Sequence, residues 1–219
     1  MPVTRLHLDD LATRADLADS FRSPAVELLD GRLVRHASPS AAVVATVVRI
    51  AAAFDQQAVG LRVGVRDPVA APPVDLLRPE VGLLRPTPVY QPWPAPPAHA
   101  LALAVLVVER FDDAVERVRR YAHAGVREVW MVETETLTGV VLAAPAGGRY
   151  GRRELLLPDE PCAPSAVPWL QVVPVLRPRP AQDAGHRVDQ SPSSSISNTS
   201  PSTSITSPAR TRRFRRVST

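Results

Sequence analysis

The chain contains no lysine; each of its 26 basic residues is Arg. Arg holds its proton under all ordinary conditions, so a proton-transferring amine has no side chain to use here. Ala and Pro are also abundant, and the bias reads as a coding bias, as in a GC-rich genome. There is one cysteine, Cys162, which excludes an internal disulfide and a Cys-rich zinc site. Aromatic residues make up only 5%, so a core must be built mainly from Val, Leu and Ala. No apolar run approaches the roughly 18 residues of a membrane span. The longest, from Ala98 to Val108, is interrupted by His99. Asp9 and Asp10 stand where a signal peptide would need an apolar stretch, so the expectation is a soluble, cytoplasmic protein. No Gly-rich phosphate loop, Ser nucleophile elbow, His-Glu-x-x-His pair or internal repeat is present.

What is present suffices for one domain. The 219 residues are 45% hydrophobic, within the range of globular chains. The formal charge of +4 is unevenly placed. Residues 1–176 hold 18 Arg against 20 acids, net −2, whereas residues 177–219 hold 8 Arg against 2 acids, net +6. The Pro/Ser/Thr-rich segment 177–219 lacks the apolar surface to offset its ordering entropy and is expected to be a disordered tail. Its basic cluster, Arg210 to Arg216, is of the kind that binds phosphates nonspecifically or is simply solvated.

Within residues 1–176, helical spacing of Leu8, Leu11, Ala12 and Leu17 predicts a helix over 5–20. Ala25 to Leu29, Asp30-Gly31 and Arg32 to Val34 predict a hairpin, because both turn positions tolerate positive φ. Ser38-Pro39-Ser40 opens a helix over Ala41 to Phe54, so apolar that burial on several sides is expected. Strands are expected at 61–65, within 76–84, at 101–108, 128–133, 139–143 and 150–157. A loop is expected at 67–73, a Pro-rich loop at 86–97 and a helix at 112–124 closed by Gly125. Leu101 to Val108 reads as a strand buried on both faces. The order predicts an α/β fold, with one mixed central sheet flanked by helices and one βαβ crossover from 101 to 132.

Three features could carry chemistry: Glu27 before the Asp30-Gly31 turn, Arg78-Pro79-Glu80-Val81, and Glu109 after the apolar strand. Arg117 and Tyr121 follow, then Gly125-Val126-Arg127-Glu128-Val129-Trp130. Taken alone, each acid reads equally as a solvated surface residue, and Arg117 as part of a charged helix face. Tyr121 and Trp130 read as core, and the five His as surface or structural.

Together, the set resembles the Uma2-type (DUF820) family, a restriction-endonuclease-like branch of the PD-(D/E)XK nuclease fold. That family shows a Glu-Leu-x-Asp-Gly hairpin, a Pro-Asp at a strand start and a Glu ending an apolar strand. A Lys four residues before a Tyr and a Gly-Val-x-Glu-x-Trp segment follow. The match spans Ala25 to Leu157. The resemblance implies a metal-dependent endonuclease acting on DNA, with Mg²⁺ or Mn²⁺ held by Glu80 and Glu109. It implies Glu27 as a supporting acid and Arg117 as the cation, and is compatible with a homodimer. Such a site works because a hard cation shields the phosphodiester and generates hydroxide, while a nearby positive charge stabilises the transition state. This chain departs twice: Glu80 replaces the expected Asp and Arg117 the expected Lys, with Asp75 as an alternative acid to Glu80. Both departures fall at demanding positions, so a copy that keeps the fold without cutting is the competing expectation.

Overall fold

The computed structural model describes residues 5–86 and 95–177; the expected tail from residue 178 and most of the Pro-rich loop lie outside the described residues. Two sheets form where one was expected. The larger has the order β10-β9-β8-β7-β6-β3, and the smaller is antiparallel with the order β2-β1-β5-β4. The strands are β1 Val26–Leu29, β2 Arg32–Arg35, β3 Arg62–Gly64, β4 Val69–Ala71, β5 Asp75–Leu77, β6 Val81–Leu84, β7 Leu101–Val108, β8 Glu128–Glu133, β9 Thr138–Ala146 and β10 Arg149–Leu156. The helices are α1 Leu8–Thr13, α2 Ala15–Ser20, α3 Ala41–Asp55 and α4 Val115–His123.

The expected crossover is present. β7 and β8 pair in parallel, Val105 opposite Trp130, and α4 connects them. All other pairs in the large sheet are antiparallel, so the sheet is mixed. β7 is buried along its whole length, as its unbroken apolar sequence requires. One face of the large sheet, with Leu103, Val105, Val107 and Trp130, packs on Val43, Val47, Ile50 and Phe54 of α3. The other face, with Ala104, Leu106, Val108 and Met131, packs on Tyr121 and on Leu29, Val69 and Leu77 of the small sheet. Leu8, Leu11, Leu17 and Phe21 close the far side of the small sheet.

The hairpin forms as its sequence dictates. Asp30 and Gly31 have φ of 52° and 71°, the left-handed values of a tight two-residue turn. Gly31 is required for a further reason: a Cβ there would lie 2.9 Å from the Leu6 carbonyl oxygen. The Leu6 N–H donates to the Gly31 carbonyl at 2.8 Å, and the Gly31 N–H to Val74 at 2.9 Å. The turn is thus pinned from both sides.

Several expectations change. The first helix breaks at Arg14, whose φ of −114° and ψ of 105° are extended. The segment 67–73, expected as loop, contains β4, and 76–84 holds two strands in different sheets. Pro79, which cannot donate to a ladder, stands between them. A 3-10 turn at Phe111–Ala114 precedes α4. Helix α3 is buried on one face only; Val44 and Val48 are exposed. Its first turn is capped by Ser40, whose Oγ accepts from the Val43 N–H at 3.4 Å, a long bond for a cap. Among the described residues, no helix is long and apolar enough to cross a membrane.

Candidate functional site

Glu27 lies on β1, which pairs with β5 through Leu28 and Leu76. That pairing sets Glu27 beside the chain leaving β5, where the Arg78 N–H donates to Glu27 Oε1 at 2.6 Å. Glu80 is the residue before β6. Arg117 is in the first turn of α4, and Tyr121 follows one helical turn later. The four meet where the small sheet, the large sheet and α4 adjoin. Glu27 is 1% exposed, Glu80 2% and Arg117 5%, so this is a buried cluster.

Arg117 joins the two acids. Its Nε lies 3.0 Å from Glu27 Oε2, and its Nη1 3.1 Å from Glu80 Oε1. The first is an ion pair by distance without the alignment of a hydrogen bond, because Nε has no hydrogen-bond partner. Nη2 donates to the Arg78 carbonyl at 2.7 Å. A second guanidinium approaches from the other side: Arg66 Nη2 lies 3.0 Å from Glu80 Oε1. His36 Nε2 sits 2.6 Å from Glu27 Oε2. Arg78 turns away, donating Nε to Val26 O at 2.9 Å, Nη1 to Arg66 O at 2.9 Å and Nη2 to Phe21 O.

Burial alone would push the Glu27 carboxyl up; Arg117, His36 and the Arg78 N–H outweigh it and hold Glu27 below its ordinary value. Burial would likewise lower Arg117, but Glu80 and Glu27 raise it. Both charged forms are therefore favoured: this is a paired, ionised cluster. Burial carries the Tyr121 phenol well up, so it stays protonated. Its hydroxyl has no hydrogen-bond partner, and neither does Glu80 Oε2.

Glu109 is not part of this arrangement. It is exposed beyond the end of β7, where its carbonyl accepts from the Glu135 N–H at 3.3 Å. The physical reason lies in register. Val81 of β6 opposes Val105 of β7, and successive strand residues alternate faces. The β7 side chains that share a cluster with Tyr121 are Leu101, Ala104, Leu106 and Val108. None is an acid, and Glu109 is beyond the pairing.

Asp75, the alternative to Glu80, has a separate task. It accepts from the Asp30 N–H at 2.7 Å and from Arg120 Nη2 at 2.7 Å. Arg120 Nη1 also lies 3.4 Å from Asp30. Arg120 and Arg117 thus fasten the small sheet to the same side of α4. Arg66 and His36 carried no spacing signal in the sequence; His36 is brought here by the β1–β2 hairpin, and Arg66 by its backbone N–H bonding the carbonyls of Pro79 and Glu80.

The residues present do not fit the divalent cation that the sequence resemblance implies. Both Glu27 oxygens and Glu80 Oε1 face a backbone N–H, guanidinium or imidazole nitrogen, leaving Glu80 Oε2 as the one free carboxylate oxygen of the cluster. Mg²⁺ requires near-octahedral oxygen ligation, and one oxygen flanked by two arginines does not supply it. Among the described residues, no group of three or more His, Cys, Asp or Glu could hold a metal ion. The neighbouring cavity, about 180 Å³, is lined by Pro39, Val43, Val44, Val47, Val48 and Val65 together with Arg66 and Glu80. Its only cation is Arg66, already paired.

No family model matches the chain, and no curated protein matches it. A solved structure does: a "putative nuclease belonging to DUF820" from Anabaena variabilis ATCC 29413, with a TM-score of 0.58 and 13% sequence identity. The match covers 79% of this chain and 96% of that one. The mixed α/β architecture expected from the sequence is therefore the one observed, and its fold is that of the DUF820 structure.

Proposed function

We propose that this chain is a DUF820-type nuclease-fold domain that does not cut, its former catalytic position serving as a structural clamp and the domain acting by binding a partner. The observation that carries this reading is the Arg117 guanidinium set against both Glu27 and Glu80. Two further features support it. The strand beside Glu80 offers Ala104, Leu106 and Val108 where a second carboxylate would be needed. Apart from Arg66, already paired with Glu80, the cavity at Glu80 is walled by aliphatic side chains, which give a phosphodiester nothing to bind.

The active reading is a Mg²⁺- or Mn²⁺-dependent endonuclease acting on DNA. Glu80 Oε2, buried without a partner, favours it, as does the likeness to a nuclease-named structure. In that reading Glu80 would ligate the ion, Glu27 would support it and Arg117 would stabilise developing charge. Supercoiled plasmid incubated with the purified protein and either ion separates the two. The clamp reading predicts no nicking, and no heat of Mg²⁺ or Mn²⁺ binding that an E80A variant abolishes. Ion-dependent nicking by the wild type, lost in E80A, would overturn it. Glu109→Ala is expected to change neither measurement.

A further inference from the structure

The outer side of α4 poses a different problem. The large sheet extends past the helix. Arg153 on β10 pairs with Leu142 on β9, and Leu155 with Val140. These four side chains share one face, and Leu155 is 72% exposed. Between that face and α4 runs a groove of two adjoining cavities, about 590 and 430 Å³. Both are lined by Val115, Val118, Leu142 and Arg153. The larger adds Arg119, His123 and Arg149, and the smaller adds Phe111, Met131, Val140 and, away from those cations, the carboxylate of Asp112. The floor is apolar and one end is cationic.

Among the described residues these cations are poorly matched: Arg119 reaches only Glu116, at 3.9 Å and with both side chains exposed. Among the described residues, no carboxylate lies within ion-pair distance of Arg149 or Arg153. His123 lies against Gly148, where a Cβ would come within 2.2 Å of its Nε2, so glycine at that position allows the ring to line the groove.

We propose that this groove docks an acidic amphipathic helix of a partner protein. An apolar helix stripe would cover Val115, Val118, Val140 and Leu142, with Asp or Glu on its flank meeting Arg119, Arg149 and Arg153. The dimensions favour a segment over a small ligand, since the two cavities form one open groove along α4. The floor favours a peptide over nucleic acid. Single strands bind through stacked aromatic platforms, whereas this floor is mostly aliphatic, and the Tyr150 hydroxyl is tied to the Val126 carbonyl at 2.8 Å. The inference is independent of the carboxylate cluster, which lies on the other side of α4.

The test uses the full chain and a fluorescent peptide of about 16 residues, roughly four helical turns, with Leu on one face and Glu on the others. A Lys-for-Glu version is the control. The acidic peptide should bind at least about tenfold tighter than the basic one, with affinity falling as salt rises. The double variant R149E/R153E should lose that preference, and V118D should abolish binding. Thermal melting of each variant checks that it folds; should V118D not fold, L142S replaces it. Equal binding of the two peptides, or unchanged binding by R149E/R153E, would overturn the proposal. So would a single-stranded oligonucleotide that binds in place of the peptide and is lost in R149E/R153E. Plasmid nicking, measured in parallel, reports on the clamp reading alone.

Discussion

Helix α4 carries arginines on two sides, and their surroundings give the same residue type opposite roles. On the inner side, Arg117 and Arg120 meet Glu27, Glu80, Asp75 and Asp30. Arg117 is fully enclosed, its charge matched before any ligand arrives. On the outer side, Arg119 has one loose contact, and Arg149 and Arg153 stand over apolar floor. A buried cation between two anions has its interactions satisfied within the fold. An exposed cation beside a hydrophobic floor has charge left for a partner.

The comparison breaks most visibly at Arg117. Removing it by R117A leaves Glu27 and Glu80 buried without their shared counter-ion. Breaking one side of a buried ion pair costs about 3–5 kcal/mol. The expected outcome is a loss of that order in chemical denaturation, with a clearly lowered melting temperature. R117K should recover only part, because a single ammonium cannot span both acids and the Arg78 carbonyl as the planar guanidinium does. A wild-type-like melt for R117A would show that the two acids are solvated and that the clamp does not exist.

Arg120 provides the intermediate case. Its side chain keeps 13% of its surface exposed, and its bonds to Asp75 fix the Asp30-Gly31 turn. R120A should cost about 1–3 kcal/mol, the range for stranding a partly buried hydrogen-bonded charge. The loss should appear first as faster amide exchange in the hairpin than in β7.

Acidity sharpens the contrast further. Glu27 is held below its ordinary value in the folded chain, so its contribution is present above the unfolded carboxyl value. That contribution is lost as pH falls through the folded value. Melting temperature should therefore drop as pH falls below the ordinary carboxylate range, and the drop should be shallower in E27Q, which has already lost the interaction. An equal slope in both would place the acid sensitivity elsewhere.

Much of this was legible in the sequence, and for local reasons. The Asp30-Gly31 turn, the buried β7, the parallel crossover and the Gly125 stop each depend on a few adjacent residues. Glu27, Glu80 and Arg117, singled out in the sequence, meet in one buried cluster. The rest depends on distant pairing. The split into two sheets rests on Leu28 meeting Leu76, and no local pattern encodes that contact. Arg66 carries no local signal because its partner, Glu80, is fourteen residues away, and the Arg78 side chain finds its acceptors in Phe21 and Val26, far back in the chain. Glu109 lies in solvent, apart from the cluster, and a terminal acid on an apolar strand looks the same in sequence whether the strand ends at a site or in solvent. The register of β6 against β7 decides that question.

The smallest expected effect is the one that separates binding from stability. Outer-side charges are exposed and unmatched, and surface substitutions of that kind usually stay within about 0.5 kcal/mol. R149E and R153E, singly or together, should leave the denaturation midpoint nearly unchanged. If instead the double variant melts as far below wild type as R117A does, the outer arginines are structural after all. The two sides of α4 would then be two halves of one clamp, and the groove would have no spare charge to offer a partner.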